Sequence, residues 1–105
     1  MAQATIEFNR NEKITVGTAA IVISDEKQNS QFTRNSIIII NTSTGGQVIT
    51  LSIDNEAVSG QGIQLTAGGV WQDSKDSGYL PTQRQITAIS TLAGGTIALQ
   101  ERTGV

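Results

Sequence analysis

Hydrophobic residues recur at every second position along several short stretches of this chain. Ala4, Ile6 and Phe8 alternate with Thr5 and Glu7, the two-residue period of a strand with one buried face. Polar turn formers, Asn9 to Lys13, then interrupt the pattern before a short apolar strand, Ile14 to Val16. Residues 19 to 24 form another, apolar on both faces through Ile21, Val22 and Ile23. Asp25 to Gln31 is polar, and is where a turn of helix is expected if there is one. Phe32 to Asn41 carries the strongest strand pattern, and 48 to 53 alternates Ile49, Leu51 and Ile53 against Val48, Thr50 and Ser52. Short strands at 62–65 and 70–73 flank Ala67-Gly68-Gly69. The last pair, 83–90 and 96–101, flanks Thr91-Leu92-Ala93-Gly94-Gly95.

Two runs joined by a short Gly-containing loop read as a β-hairpin. That rule predicts one hairpin across Asn41–Gly46 and a second across Thr91–Gly95. About eight strands at this spacing predict an all-β, single-domain antiparallel β-sandwich, jelly-roll-like. It spans residues 1–105, with 1–12 as an N-terminal arm or edge strand. Repeats of solenoid period and interdomain linkers are absent from the sequence.

Ile37-Ile38-Ile39-Ile40 breaks the alternation. Four consecutive Ile put apolar groups on both faces of one strand, and in a two-layer sandwich one of those faces meets water. Either a loop or terminal arm of the same chain covers it, or a second copy does, since contiguous exposed apolar patches mark interfaces. The candidate self-association residues are therefore Ile37, Ile38, Ile39 and Ile40, with Ile6 and Phe8 from the N-terminal segment.

Composition reinforces the strand reading. Fourteen Ile, 6 Val and 13 Thr make nearly a third of the 105 residues β-branched, against 5 Leu and 1 Met. Such side chains are stiff at χ1 and suit a pleated surface better than a helix. The high Ile content and the net charge of −2 also argue against disorder, which goes with few β-branched residues and high net charge.

Charge and residue usage narrow the function classes. With 7 Lys+Arg against 9 Asp+Glu, there is no basic footprint for nucleic acid or anionic membrane. Zero Cys and zero His remove disulfides, thiolate zinc sites, cysteine nucleophiles and the commonest general base and metal ligand. Apolar runs such as Ile37–Ile40 are far short of a membrane span, and Met1–Glu7 has no cationic, then apolar, signal pattern. No cofactor is expected. Nine carboxylates could supply an acid–base pair, but such sites usually add aromatic platforms, and the chain has one Trp, one Tyr and two Phe. Asp73-Ser74-Lys75-Asp76-Ser77-Gly78 lacks the ligand alternation of a calcium loop and reads as a solvated turn. Asn41-Thr42-Ser43 matches a glycosylation acceptor and reads as turn chemistry. Trp71, Tyr79 and Leu80 concentrate the large side chains, either as core packing or as a partner contact. Arg34, Arg84 and Arg102 read as surface residues.

From Asn35 onward the chain resembles small virion accessory proteins of tailed bacteriophages. The segments that carry the likeness are Asn35-Ser36-Ile37-Ile38-Ile39-Ile40-Asn41, Gly62-Ile63-Gln64-Leu65-Thr66-Ala67-Gly68-Gly69, Gln83-Arg84-Gln85-Ile86-Thr87-Ala88-Ile89-Ser90 and Ile97-Ala98-Leu99-Gln100-Glu101-Arg102. Short β-sandwiches of this layout are similar to capsid decoration, or cement, proteins; Ala67-Gly68-Gly69 departs from the Pro-Gly more often found there. The resemblance implies a non-enzymatic structural protein at the virion capsid surface, made in the host cytoplasm. It implies a homotrimer that binds the major capsid protein lattice and stabilises the assembled shell. The alternative on the same fold is a carbohydrate- or host-surface-binding module, an adhesin or tail-tip domain, with Trp71 or Tyr79 exposed in a concave site.

Overall fold

The computed structural model describes residues 7–27, 32–75, 78 and 80–104. They form eight strands: β1 (Glu7–Val16), β2 (Ile21–Ser24), β3 (Thr33–Asn41), β4 (Ile49–Ile53), β5 (Ile63–Leu65), β6 (Val70–Ser74), β7 (Ile86–Ser90) and β8 (Gly95–Gly104). One sheet runs β1-β8-β3-β6 and the other β2-β7-β4-β5, and every pairing is antiparallel. This is the two-sheet jelly-roll order. Among the described residues there is no α-helix.

The order corrects both hairpin expectations. β3 and β4 lie in different sheets, and so do β7 and β8. Each Gly-containing loop arches from one layer to the other; among the described residues β4 and β5 are the only consecutive strands that pair. The reason is burial on both sides of the turn. Ile39 and Asn41 before the first loop and Ile49 after it are all fully buried, so an arch lets both strands face one core.

The polar run Asn9–Lys13 is likewise no turn. It continues β1, which pairs with β8 without a register break from Glu7 to Val16. β1 is a sheet edge with a solvated outer face, so polar side chains cost it little.

The core lies between the sheets. Ile37, Ile39, Ile97, Leu99 and Val16 from the first sheet meet Ile23, Ile49, Leu51, Leu65, Ile86 and Ala88 from the second. Each fully buried Ile contributes about 1.5–3 kcal/mol of transfer free energy. Polar networks close both ends of this layer. At one end, Asn41 Nδ2 donates to the carbonyls of Gln47 (2.9 Å) and Leu65 (2.7 Å). Its Oδ1 accepts from the Ser43 amide at 2.9 Å, the local bond that makes Asn a turn former. Asn41 is fully buried, with both amide hydrogens committed.

The two sheets differ on their outer faces. Residues 54–62 fold over the second sheet: Thr87 Oγ1 donates to the Asn55 carbonyl at 2.7 Å, and the Gly60 amide donates to Thr50 Oγ1 at 3.2 Å. Thr50, Thr87 and Ala57 are buried beneath or within that cover. The cover thus lies on the sheet opposite the Ile run.

Candidate functional site

The outer face of β1-β8-β3-β6 is built in rows by the strand register. Asn11, Gln100, Ile38 and Gln72 lie opposite one another in sequence across the four strands. The next row is Lys13, Ala98, Ile40 and Val70. The following strand-end row contains Thr42 and Thr96, whose hydroxyls lie 2.9 Å apart. Ile38 and Ile40 are half-buried, whereas Val70 is 54% exposed. Two grooves run over this face, lined by strand residues alone. One, of about 380 Å³, is walled by Ser36, Ile38, Gln72, Asp73, Ser74, Gln100 and Arg102. The other, of about 300 Å³, lies over Asn11, Ile38, Ile40 and Ala98. The chemistry on offer is an aliphatic strip rimmed by amides and hydroxyls, suited to contact with another surface.

The four consecutive Ile therefore divide by parity. Ile37 and Ile39 are fully buried in the core, so neither can meet a second copy. Ile38 and Ile40 alone face outward. Phe8 is 52% exposed and sets its ring edge-on against Phe32, centroids 5.0 Å apart. Ile6 and Tyr79 lie outside the described residues. Trp71 is half-buried and packs against the core, while Leu80 is 63% exposed.

Arg34 corrects the surface reading outright. Its side chain is fully buried between the sheets and all five of its N–H donors are used. Nε donates to Glu101 Oε2 at 2.8 Å, Nη1 to the carbonyls of Thr82 and Arg84, and Nη2 to Ser24 Oγ and the Asp25 carbonyl. Ser24 in turn donates to Glu101 Oε2. Glu101 is 2% exposed, with Arg10 Nη1 and Lys27 Nζ each 4.0 Å from Oε1. Burial alone would raise its carboxyl pKa; hydrogen bonds from Ser24 and Arg34, with the charges of Arg34 and Lys27, outweigh that and hold it below the ordinary glutamate value. This network joins β2 and the segment before β7 to β3 and β8, so it clamps one sheet to the other. A signal for half of it was present: Ile97, Leu99 and Glu101 keep one parity. Arg34 breaks parity with Ile37 and Ile39, because the β3–β8 register shifts between Arg34 and Ser36.

Comparison with known proteins adds to this geometry. No protein-family model matches the chain, and no curated protein matches it. Solved structures do. One is from work on Bacillus endospore appendages that form a family of disulfide-linked pili, with TM-score 0.58, 14% identity, and coverage of 98% of this chain and 89% of that one. Another is from the acid-stable capsid of Helicobacter pylori bacteriophage KHP30, with TM-score 0.53, 7% identity, and coverage of 97% and 92%. At such identities the likeness is one of fold.

Proposed function

We propose that this protein is a non-enzymatic structural subunit that associates with copies of itself and stabilises a larger assembly. The observation that carries the reading is the outer face of β1-β8-β3-β6, where Ile38, Ile40, Ala98 and Val70 form an aliphatic strip that no segment among the described residues covers. Residues 54–62 cover the other sheet instead, which suits a first-sheet face that another protein covers. The shared fold of a pilus protein and a capsid protein supports an assembly role, and the capsid likeness supports a virion location. Within that class, the favoured reading is attachment to an assembled phage shell as a decoration protein. The chain has no cysteine, so disulfides within this sequence do not join its copies. A carbohydrate-binding role is less favoured because Trp71, a ring such a site would present, packs inward.

Light scattering on the purified chain over a dilution series tests self-association, and co-sedimentation with phage heads tests shell binding. A stable oligomer that pellets with heads is expected. A monomer at every concentration that stays in the supernatant would overturn the proposal.

A further inference from the structure

We infer that the free edge of β1 is a self-complementary seam, through which two copies join about a two-fold axis passing beside Asn11. The inference rests on the self-association proposed above and names the surface that performs it. Among the described residues four strands lie at sheet edges: β1, β2, β5 and β6. β2 and β5 are short, and the β2 register is broken by an irregularity between Val22 and Ser24. β1 is the long one, with no proline and no register break along its whole pairing with β8. Long regular edges present a row of backbone donors and acceptors that template another strand, and proteins normally shorten, bend or cover them.

Geometry and charge then select the register. A two-fold axis normal to the sheet keeps both cores on one side and brings one residue of β1 opposite itself. With the axis at Arg10, Glu12 or Lys13, like charges face each other. With the axis at Asn9, Phe8 falls opposite the partner's Arg10 and only Glu7–Asn11 of the described strand overlap. With the axis at Asn11, the overlap runs from Glu7 to Thr15. Arg10 then faces the partner's Glu12, Phe8 faces the partner's Ile14, and Asn9 faces the partner's Lys13, each pair occurring twice. Arg10 and Glu12 are both part-exposed and already paired within the chain, Nε to Oε2 at 2.6 Å, so their alignment is prepared before the copies meet. The backbone bonds supply the attraction, and like charges reject the registers centred on Arg10, Glu12 and Lys13. The joined sheet runs β6-β3-β8-β1 and then the same strands in reverse. The row Gln72–Ile38–Gln100–Asn11 continues into the partner, doubling the bare face.

The chain has no cysteine, which makes a single-thiol test clean. Opposed Cα atoms in an antiparallel pair lie about 4.5–5.5 Å apart, within disulfide reach. Asn11→Cys should convert fully to a covalent dimer under mild oxidation. Asn9→Cys, whose two copies would lie about 13 Å apart along the seam, should form no covalent dimer in the same conditions. Glu12→Lys, at an exposed position, should abolish dimer mass in light scattering while the chain still folds, as read by its β-sheet circular dichroism. If the parent chain is oligomeric but Asn11→Cys cross-links no faster than Asn9→Cys, the seam is wrong and self-association stands. If the parent is monomeric throughout and neither variant cross-links, both readings fall.

Discussion

Arg34 Nε lies 2.8 Å from Glu101 Oε2, and both side chains are closed off from solvent between the two sheets. Such a pair repays its desolvation only when the remaining hydrogen-bonding groups are met. Here they are: Ser24, Thr82, Arg84 and Asp25 take up the rest of the guanidinium. Among the described residues no buried side-chain nitrogen or oxygen lacks a partner.

Removing either partner strands the other charge. Glu101→Leu or Arg34→Met should each destabilise the fold by about 3–5 kcal/mol. The double variant should cost clearly less than the sum, because the second change removes the charge that the first exposes to an apolar interior. Urea unfolding of the four proteins measures the coupling; additive losses would show that the pair acts as two independent residues.

Acid should release the clamp. Because the folded carboxyl of Glu101 titrates below its unfolded value, its contribution is complete above the ordinary glutamate range, near pH 4.5. It is lost as pH falls through the lower folded value. Melting temperature followed downward from neutral pH should therefore drop below about pH 4.5, and the drop should be smaller in Glu101→Gln, which starts less stable. Parallel curves for the two proteins would contradict this.

Adjacent isoleucines should behave oppositely. Ile37→Ala opens a cavity in the core and should cost about 2–5 kcal/mol. Ile38→Ser removes an outward side chain, so its cost should be well under half of that, while co-sedimentation with phage heads weakens. Equal destabilisation, or loss of head binding only in Ile37→Ala, would contradict the parity assignment.

Gly95 begins β8 where the layers close together. An added Cβ would meet the Val16 carbonyl oxygen at 2.7 Å, Ser90 Oγ at 2.8 Å and Ile49 Cδ1 at 3.0 Å. The backbone oxygen cannot swing aside, so Gly95→Ala should cost about 1–3 kcal/mol by overpacking. Chemical unfolding checks it, and a neutral result would mean that β1 shifts freely at Val16.

Strand existence was legible because it is local. Alternation along 48–53 and 96–101, with β-branched residues throughout, depends only on side chains pointing to opposite faces of an extended backbone. Glu101 was legible on the same ground, since it shares parity with Ile97 and Leu99. Arg34 was not, because one irregularity in β3 reverses its side, and that irregularity arises in the pairing with β8. The run Asn9–Lys13 misled for a related reason: an edge strand with a solvated face needs no alternation, so nothing in the sequence separates it from a turn.

The order of residues along the chain specified an all-β fold, its β-branched core and the doubled apolar surface at Ile37–Ile40. Tertiary structure alone decided which strands pair. Each loop that reads as a hairpin can also arch between layers, and the choice depends on burying Ile39 and Ile49 against the same core from opposite sheets. It also decided which outer face residues 54–62 cover. Covering the β2-β7-β4-β5 sheet leaves Ile38 and Ile40 facing outward. It likewise brought Arg34, Ser24 and Glu101 together from three distant strands, because long-range register is set by the whole packed core rather than by any segment of it.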